Sequence, residues 1–230
     1  MTADHSSVNE SNLLAVKTPL FIPEFLFCAD LSLRQPGFAL LHVEDNGRIR
    51  VVDTSVCDNK KYKGTHGDML ARIFTHMKNI VKAIPEGSKV TFVRERAFSR
   101  FANETQTLNK VVGITDFLIA RDFSCLKLDI HPKEWCEIAP KSIKAIVAGS
   151  GNATKDDVRE ALRDYVGVYE YKNTDESDAV AAGVAYIIQE NIGRPFRSEL
   201  GEMRRMPTAT VKKEKRKVAK PKVDKNKGGK

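Results

Sequence analysis

Four carboxylates carry the chemistry this sequence can offer. Asp30 closes the apolar run Phe-Leu-Phe-Cys-Ala-Asp, and Glu95 closes Val-Thr-Phe-Val-Arg-Glu. Asp175 and Asp178 stand three apart at the start of Asp-Glu-Ser-Asp-Ala-Val-Ala-Ala-Gly. Residues three apart share a helix face, so two strand-end acids and one helical pair can converge on a point. At about 4 Å and an effective dielectric of about 20, each like-charge pair there costs roughly 4 kcal/mol. Such a cluster needs protons or cations. Oxygen-only ligands select Mg²⁺ or Mn²⁺ over zinc, and carboxylate-held divalent ions suit phosphodiester hydrolysis. A lone strand-end acid or a lone DxxD pair is usually a solvated surface feature, so the weight rests on the combination.

Two further groups sit near these acids in sequence. Lys155 follows Gly149-Ser-Gly-Asn-Ala-Thr at the expected start of a helix, where a helix N-terminus and a lysine together favour an anion. It is a candidate phosphate or transition-state contact, or else an ordinary surface lysine. Phe98 and Phe101 follow Glu95 in a stretch holding Arg94, Arg96 and Arg100. Aromatics beside cations suit base stacking or a wedge at opened DNA; Phe101 equally suits a core position.

The elements that must position these residues follow from periodicity. Residues 24–30, 37–43 and 49–55 read as three strands, the last two joined at Asp45-Asn46-Gly47, a strong hairpin signal. An antiparallel meander is expected. Leu70, Ile73, Phe74, Met77, Ile80, Val81 and Ile84 repeat at helical spacing and Pro85 stops them. Residues 89–95 read as a fourth strand and 104–121 as a helix, with Leu108, Val111, Val112 and Leu118 on its apolar side. A fifth strand is expected at 126–130, with short helical pieces at 132–138 and 140–148. Thr154 and Asp157 suit a capping box for a helix over 154–165. A last helix spans about 176–191 and ends near Gly193. Its Ala179, Ala182 and Gly183 would let it approach a sheet closely. The order predicts an α/β fold, a five-stranded mixed sheet with helices on both faces.

Charge is distributed unevenly. The chain has 230 residues, 41% hydrophobic, with 38 basic and 30 acidic residues and a formal net charge of +8. Residues 211–230 hold ten of the basic residues, Lys212 and Lys213 among them, against Glu214 and Asp224. Residues 1–210 therefore hold 28 of each sign. The excess lies in a lysine-rich tail, which reads as disordered and either polyanion-seeking or merely solubilising. The expected organisation is a flexible N-terminal extension over 1–22, one domain over 23–193, a linker over 194–210 and the tail over 211–230. No apolar run approaches the roughly 20 residues of a membrane span. The polar opening resembles neither a signal nor a transit peptide. Cys28, Cys57, Cys125 and Cys136 are widely spaced, which suits reduced, intracellular cysteines.

Asp at the first strand, Glu at the fourth and DxxDA on the last helix resemble the RuvC-type Holliday-junction resolvases of the RNase H-like superfamily. Phe98 three residues after Glu95, Gly113 in the following helix, and Gly149 to Lys155 strengthen the likeness, which runs from about Phe25 to Ile192. The family's usual Asp-Pro-Gly is replaced by Asp30-Leu-Ser-Leu-Arg-Gln-Pro-Gly. With the lysine tail and the N-terminal extension, this looks closer to the divergent phage and viral branch.

The resemblance implies an RNase H-like fold and a crossover junction endonuclease that resolves branched DNA, four-way junctions above all, leaving 5′ phosphates. It implies that Asp30, Glu95, Asp175 and Asp178 hold two Mg²⁺ ions, with Mn²⁺ as a substitute; which of Asp175 and Asp178 is the closer ligand stays open. It implies a homodimer, for which the helices near 68–84 and 104–121 are candidate interfaces, and favours Phe98 as the stacking residue. A helicase partner stays unknown. The expected location is intracellular, in the cytoplasm with the nucleoid, or in a host's cytoplasm for a phage-encoded chain. The alternatives are a broader nuclease acting on flaps, Y-forks or RNA–DNA hybrids, and a non-catalytic junction-binding protein.

Overall fold

Five strands form one mixed sheet, and their order follows from which of them are buried on both faces. The computed structural model describes residues 23–44, 47–97, 101–123, 129–190, 195–197 and 203–205. The strands β1 (Phe25–Asp30), β2 (Gly37–Val43), β3 (Ile49–Val56), β4 (Lys89–Glu95) and β5 (Asp129–Ile138) lie in the order β3-β2-β1-β4-β5. The meander β1-β2-β3 is antiparallel, whereas β4 runs parallel to β1 and β5 parallel to β4. β1 and β4 are flanked on both sides by strands and read as continuous apolar runs because both their faces are covered.

Side-chain alternation divides the core in two. Phe25, Phe27 and Ala29 join Phe38, Leu40, Val90 and Phe92 on one face, under α1 (His66–Val81) and α2 (Ala102–Leu118). Leu26 and Cys28 join Ala39, Leu41 and Val93 on the other, under α3 (Pro140–Ala148), α4 (Lys155–Val166) and α5 (Thr174–Glu190). Helix α1 starts at a Thr65–Asp68 capping box and buries Met69, Ile73, Met77, Ile80 and Val81. Helix α2 buries Val111, Thr115 and Leu118, then runs into a π-helical turn at Ile119–Phe123. Almost all of α5 from Glu176 to Ile188 is buried. At Gly183 the helix touches the sheet so closely that a Cβ would lie 2.5 Å from both Cys28 Sγ and Leu41 Cδ1.

One expected element is corrected. Residues 132–138, read as a helical piece, belong to β5, which runs through to Ile138. Proline is excluded from central strands, yet Pro132 lies within β5. It is tolerated here because β5 is an edge strand. The register also jumps: Val90 pairs with Ile130, whereas Phe92 pairs with Trp135. Residues 131–134 are thus an irregularity in the strand, with a weak alternating pattern. Two short strands, Pro195–Arg197 and Met203–Arg205, pair with each other inside the segment expected to be linker. The N-terminal extension, Gly193 and the lysine tail lie outside the described residues. Among the described residues, no helix is long and apolar enough to cross a membrane.

Candidate metal centre

Parallel pairing of β1 and β4 puts two carboxylates side by side. Ala29 lies opposite Arg94, so the next residues, Asp30 and Glu95, end the two strands at one edge. Both share the alternation of Cys28 and Val93 and so face the α5 layer. The carboxyl ends of parallel strands are where open α/β sheets present their sites.

Helix α5 delivers the other pair. Its first turn is held by Asn173 Oδ1, which accepts from the Glu176 amide at 3.0 Å, and by the Ser177 hydroxyl, which donates to the Thr174 carbonyl at 2.8 Å. The Glu176 carboxylate, only 1% exposed, accepts from the Lys172 amide at 2.8 Å. The glutamate between the two aspartates is therefore spent on anchoring the turn. Asp30, Asp175 and Asp178 each offer a carboxylate oxygen within 4.8 Å of the others. Glu95 is not part of this close trio but stands beside it, within electrostatic reach of Asp30 and Asp178.

The cost of this gathering shows in the carboxyl pKa values. Burial first, then the charges of Asp178 and Asp175, push Asp30 from its ordinary 3.8 up to about 7, against the opposing pull of Lys155. Burial, Asp30 and Asp178 push Glu95 from 4.5 up to about 7, while Lys155 and Lys144 pull it down. Asp175 is raised as well, by burial in the first place, with Lys155 opposing and Asp178 adding to the shift. Like charges in a poorly hydrated cleft bind protons unless cations replace them. An all-oxygen donor set that resists ionisation alone fits a hard divalent cation.

Lysines reach the same cleft from the neighbouring helices. Lys155 is the first residue of α4, after the Thr154–Asp157 capping box, and its Nζ donates to Asp178 Oδ2 at 2.5 Å. Burial works against its charge, but the Asp178 hydrogen bond and the charges of Asp178, Asp30 and Asp175 outweigh burial and raise its pKa. Lys144 on α3 donates to the Ala153 carbonyl at 2.9 Å, pinning the connector that carries Lys155. That connector turns at Gly149, whose φ of +75° is left-handed, and Gly151 seats on the Lys141 carbonyl, where a Cβ would come within 3.1 Å. Sequence reading missed Lys144. Eleven positions separate it from Lys155, and no periodicity links them.

The candidate DNA contacts fare unevenly. Phe101, at the N-cap of α2, is 68% exposed and so is not a core residue. Arg96 is exposed, its amide bonded to the Ile138 carbonyl at 2.8 Å. Arg94, grouped with Arg96 and Arg100 as part of a basic stretch, is instead buried on the other face of the sheet. Phe98, Arg100, Lys212 and Lys213 lie outside the described residues.

A mixed sheet ordered 3-2-1-4-5, with acids ending its two central parallel strands and opening the helix across them, has an RNase H-like fold. No family model matches the chain. The Crossover junction endodeoxyribonuclease RuvC of Ehrlichia ruminantium is 28% identical over 162 residues, covering 69% of this chain and 92% of that protein. The protein of the same name from Brachyspira hyodysenteriae is 26% identical over 166 residues, covering 71% and 93%. The fold is shared with Thermus thermophilus RuvC in complex with a Holliday junction substrate, at a TM-score of 0.56, 17% identity and coverage of 70% and 92%. It is shared also with the yeast mitochondrial Holliday junction resolvase Ydc2, at a TM-score of 0.51, 11% identity and coverage of 75% and 81%. Over about 70% of its length the chain is thus similar to RuvC-type resolvases in sequence, and it shares their fold.

Proposed function

We propose that this chain is a divalent-metal-dependent endonuclease that resolves four-way DNA junctions by paired phosphodiester hydrolysis, leaving 5′ phosphates. The observation that carries the reading is the convergence of Asp30, Asp175 and Asp178 within 4.8 Å, with Glu95 abreast of Asp30. The names of the bacterial relatives support the substrate class.

In this reading Asp30, Glu95, Asp175 and Asp178 hold two Mg²⁺ ions, with Mn²⁺ able to substitute. When bound, such ions supply Lewis-acid activation of water and neutralise charge at the scissile phosphate. Asp30 and Glu95 must give up protons first. Lys155 and Lys144 assist, since their charges lower the Glu95 pKa. Lys155 also presents an ammonium at the lip of the site, where a phosphate oxygen can exchange with Asp178 as its partner. The exposed Phe101 and Arg96, with Phe98 and Arg100, follow the Glu95 strand as stacking and phosphate contacts at an opened branch point. A two-fold homodimer would present two sites to the two strands to be cut. Phe117 on α2, 53% exposed, lies on a candidate face for it. The lysine-rich tail, with Lys212 and Lys213, adds sequence-independent attraction to the backbone.

The test is a cleavage panel of four-way junction, flap, Y-fork and RNA–DNA hybrid, with and without Mg²⁺. Symmetrical nicks in the junction alone are expected. Equal cutting of flaps or hybrids would replace this reading with a broader nuclease. Junction binding with no metal-stimulated cutting would leave a binding protein. Asp30→Asn and Glu95→Gln should lose cutting by more than the roughly 10–100-fold cost of an outer-sphere partner, with junction binding retained.

A further inference from the structure

Arg94 is a buried cation in an otherwise apolar layer, 2% exposed and next in sequence to Glu95. Alternation turns it to the face opposite Glu95, among Phe92, Val111 and Leu118. Its partners come from two other elements. Nε and Nη2 donate to Glu137 Oε1 at 2.9 and 2.6 Å, and Glu137 is its register partner across β4 and β5. Nη1 donates to Thr115 Oγ1 at 3.3 Å and to Asp116 Oδ1, both on α2. The Thr115 hydroxyl in turn donates to the Val112 carbonyl at 2.7 Å, which leaves its oxygen free to accept from Arg94.

A buried ion pair contributes little net stability, because desolvation offsets its attraction. What it imposes is geometry. The planar guanidinium fork accepts few arrangements of its carboxylate partners. Here it ties the end of β4 to α2 and to β5. That tie matters because β5 is an edge strand whose pairing with β4 is irregular between Val90 and Phe92. Any roll of the β4 end that lets Arg94 tilt would swing Glu95 the other way.

We infer that Arg94 is a positioning residue, which through Glu137, Thr115 and Asp116 sets the angle at which Glu95 meets the acidic trio. The inference rests on the reading of Glu95 as a metal-site carboxylate. A displacement of about 1 Å at a reacting geometry can cost on the order of 100-fold in rate.

The experiment compares Arg94→Met and Arg94→Lys with wild type in three readouts. These are the single-turnover rate of junction cutting, the Mg²⁺ concentration for half-maximal rate, and metal-free junction affinity. Arg94→Met should cut roughly 10–100-fold more slowly and need several-fold more Mg²⁺, with junction affinity unchanged within about twofold. Arg94→Lys should recover part of the loss. If Arg94→Met does not fold, Glu137→Gln takes its place, with the same direction and a smaller effect. Lowered melting temperature with wild-type rate and metal requirement would make Arg94 structural only and overturn the positioning role. A wild-type chain that neither cuts nor binds Mn²⁺ would overturn both this inference and the reading beneath it.

Discussion

Gly37 lies against the backbone of Asp175 with no room between them: a Cβ at position 37 would sit 2.1 Å from the Asp175 carbonyl oxygen. Gly37 is also the cross-strand partner of Asp30. One missing side chain therefore sets the distance between the sheet's aspartate and the helix's pair. Gly37→Ala must push the first turn of α5 outward, since the clash is with backbone rather than with a movable side chain. Overpacking of this kind costs about 1–3 kcal/mol. Urea unfolding should register that loss, and metal-dependent cutting should fall by more than the stability loss explains. Wild-type cutting by Gly37→Ala would show that the close approach is dispensable.

Asp30 and Glu95 give the metal-free protein an unusual pH dependence. Both titrate near 7 when folded, against ordinary values of 3.8 and 4.5. The folded state thus binds the protons more tightly than the unfolded chain. Their contribution to stability is fully present below about pH 4 and lost as pH rises through 7. Without metal, melting temperature should fall between pH 5.5 and 8, and the fall should shrink in Asp30→Asn and Glu95→Gln. Mg²⁺ should raise the melting temperature more at pH 8 than at pH 5.5, because at the lower pH it must displace protons. Differential scanning fluorimetry across this range checks both.

Lys155 pulls the pKa values of Asp30 and Glu95 down while bonded to Asp178. Removing its charge in Lys155→Met should raise both. The acidic limb of the pH–rate profile should then shift to higher pH, alongside a lower maximal rate. Lys155→Arg should keep the limb near its wild-type position. A Lys155→Met profile with unchanged shape would mean that the lysine touches only phosphate and not the carboxylates' ionisation.

The tail is read from charge alone. Deleting residues 211–230 removes a net +8 and leaves a domain near neutrality. Junction affinity should drop and its salt dependence flatten, by roughly 0.9 in the log–log slope for each phosphate that the tail no longer neutralises. Fluorescence anisotropy between 50 and 200 mM salt, a range over which phosphate neutralisation changes affinity strongly, measures the slope. An unchanged slope would reduce the tail to a solubility device.

Much of this architecture was legible because its central strands and helices obey single periods. β1, β4, α1 and the Thr154–Asp157 cap lie within a few residues of where alternation and capping place them. The acidic residues were legible because each ends or opens an element. What escaped notice depends on tertiary contact. β5 breaks its own pattern at 131–134, an irregularity only an edge strand can absorb. Lys144 belongs to the site only because the Gly149 turn folds α3 back beside α4. Arg94 looked like part of a DNA-facing basic stretch, and only its own burial and its ion pairs with the half-exposed Glu137 and Asp116 say otherwise. Asn59 is fully buried too, donating to the Leu33 and Met69 carbonyls, contacts that no local pattern announces.

The central claim is that carboxylates distant in sequence form one divalent-cation site. Electron paramagnetic resonance titration of Mn²⁺ into the DNA-free protein at pH 8 tests it without reference to any substrate. Wild type should bind up to two ions per chain, Asp30→Asn and Glu95→Gln should bind at least one fewer or far more weakly, and binding should weaken as pH falls below 7. Wild-type Mn²⁺ binding no tighter than that of the two variants would contradict the account.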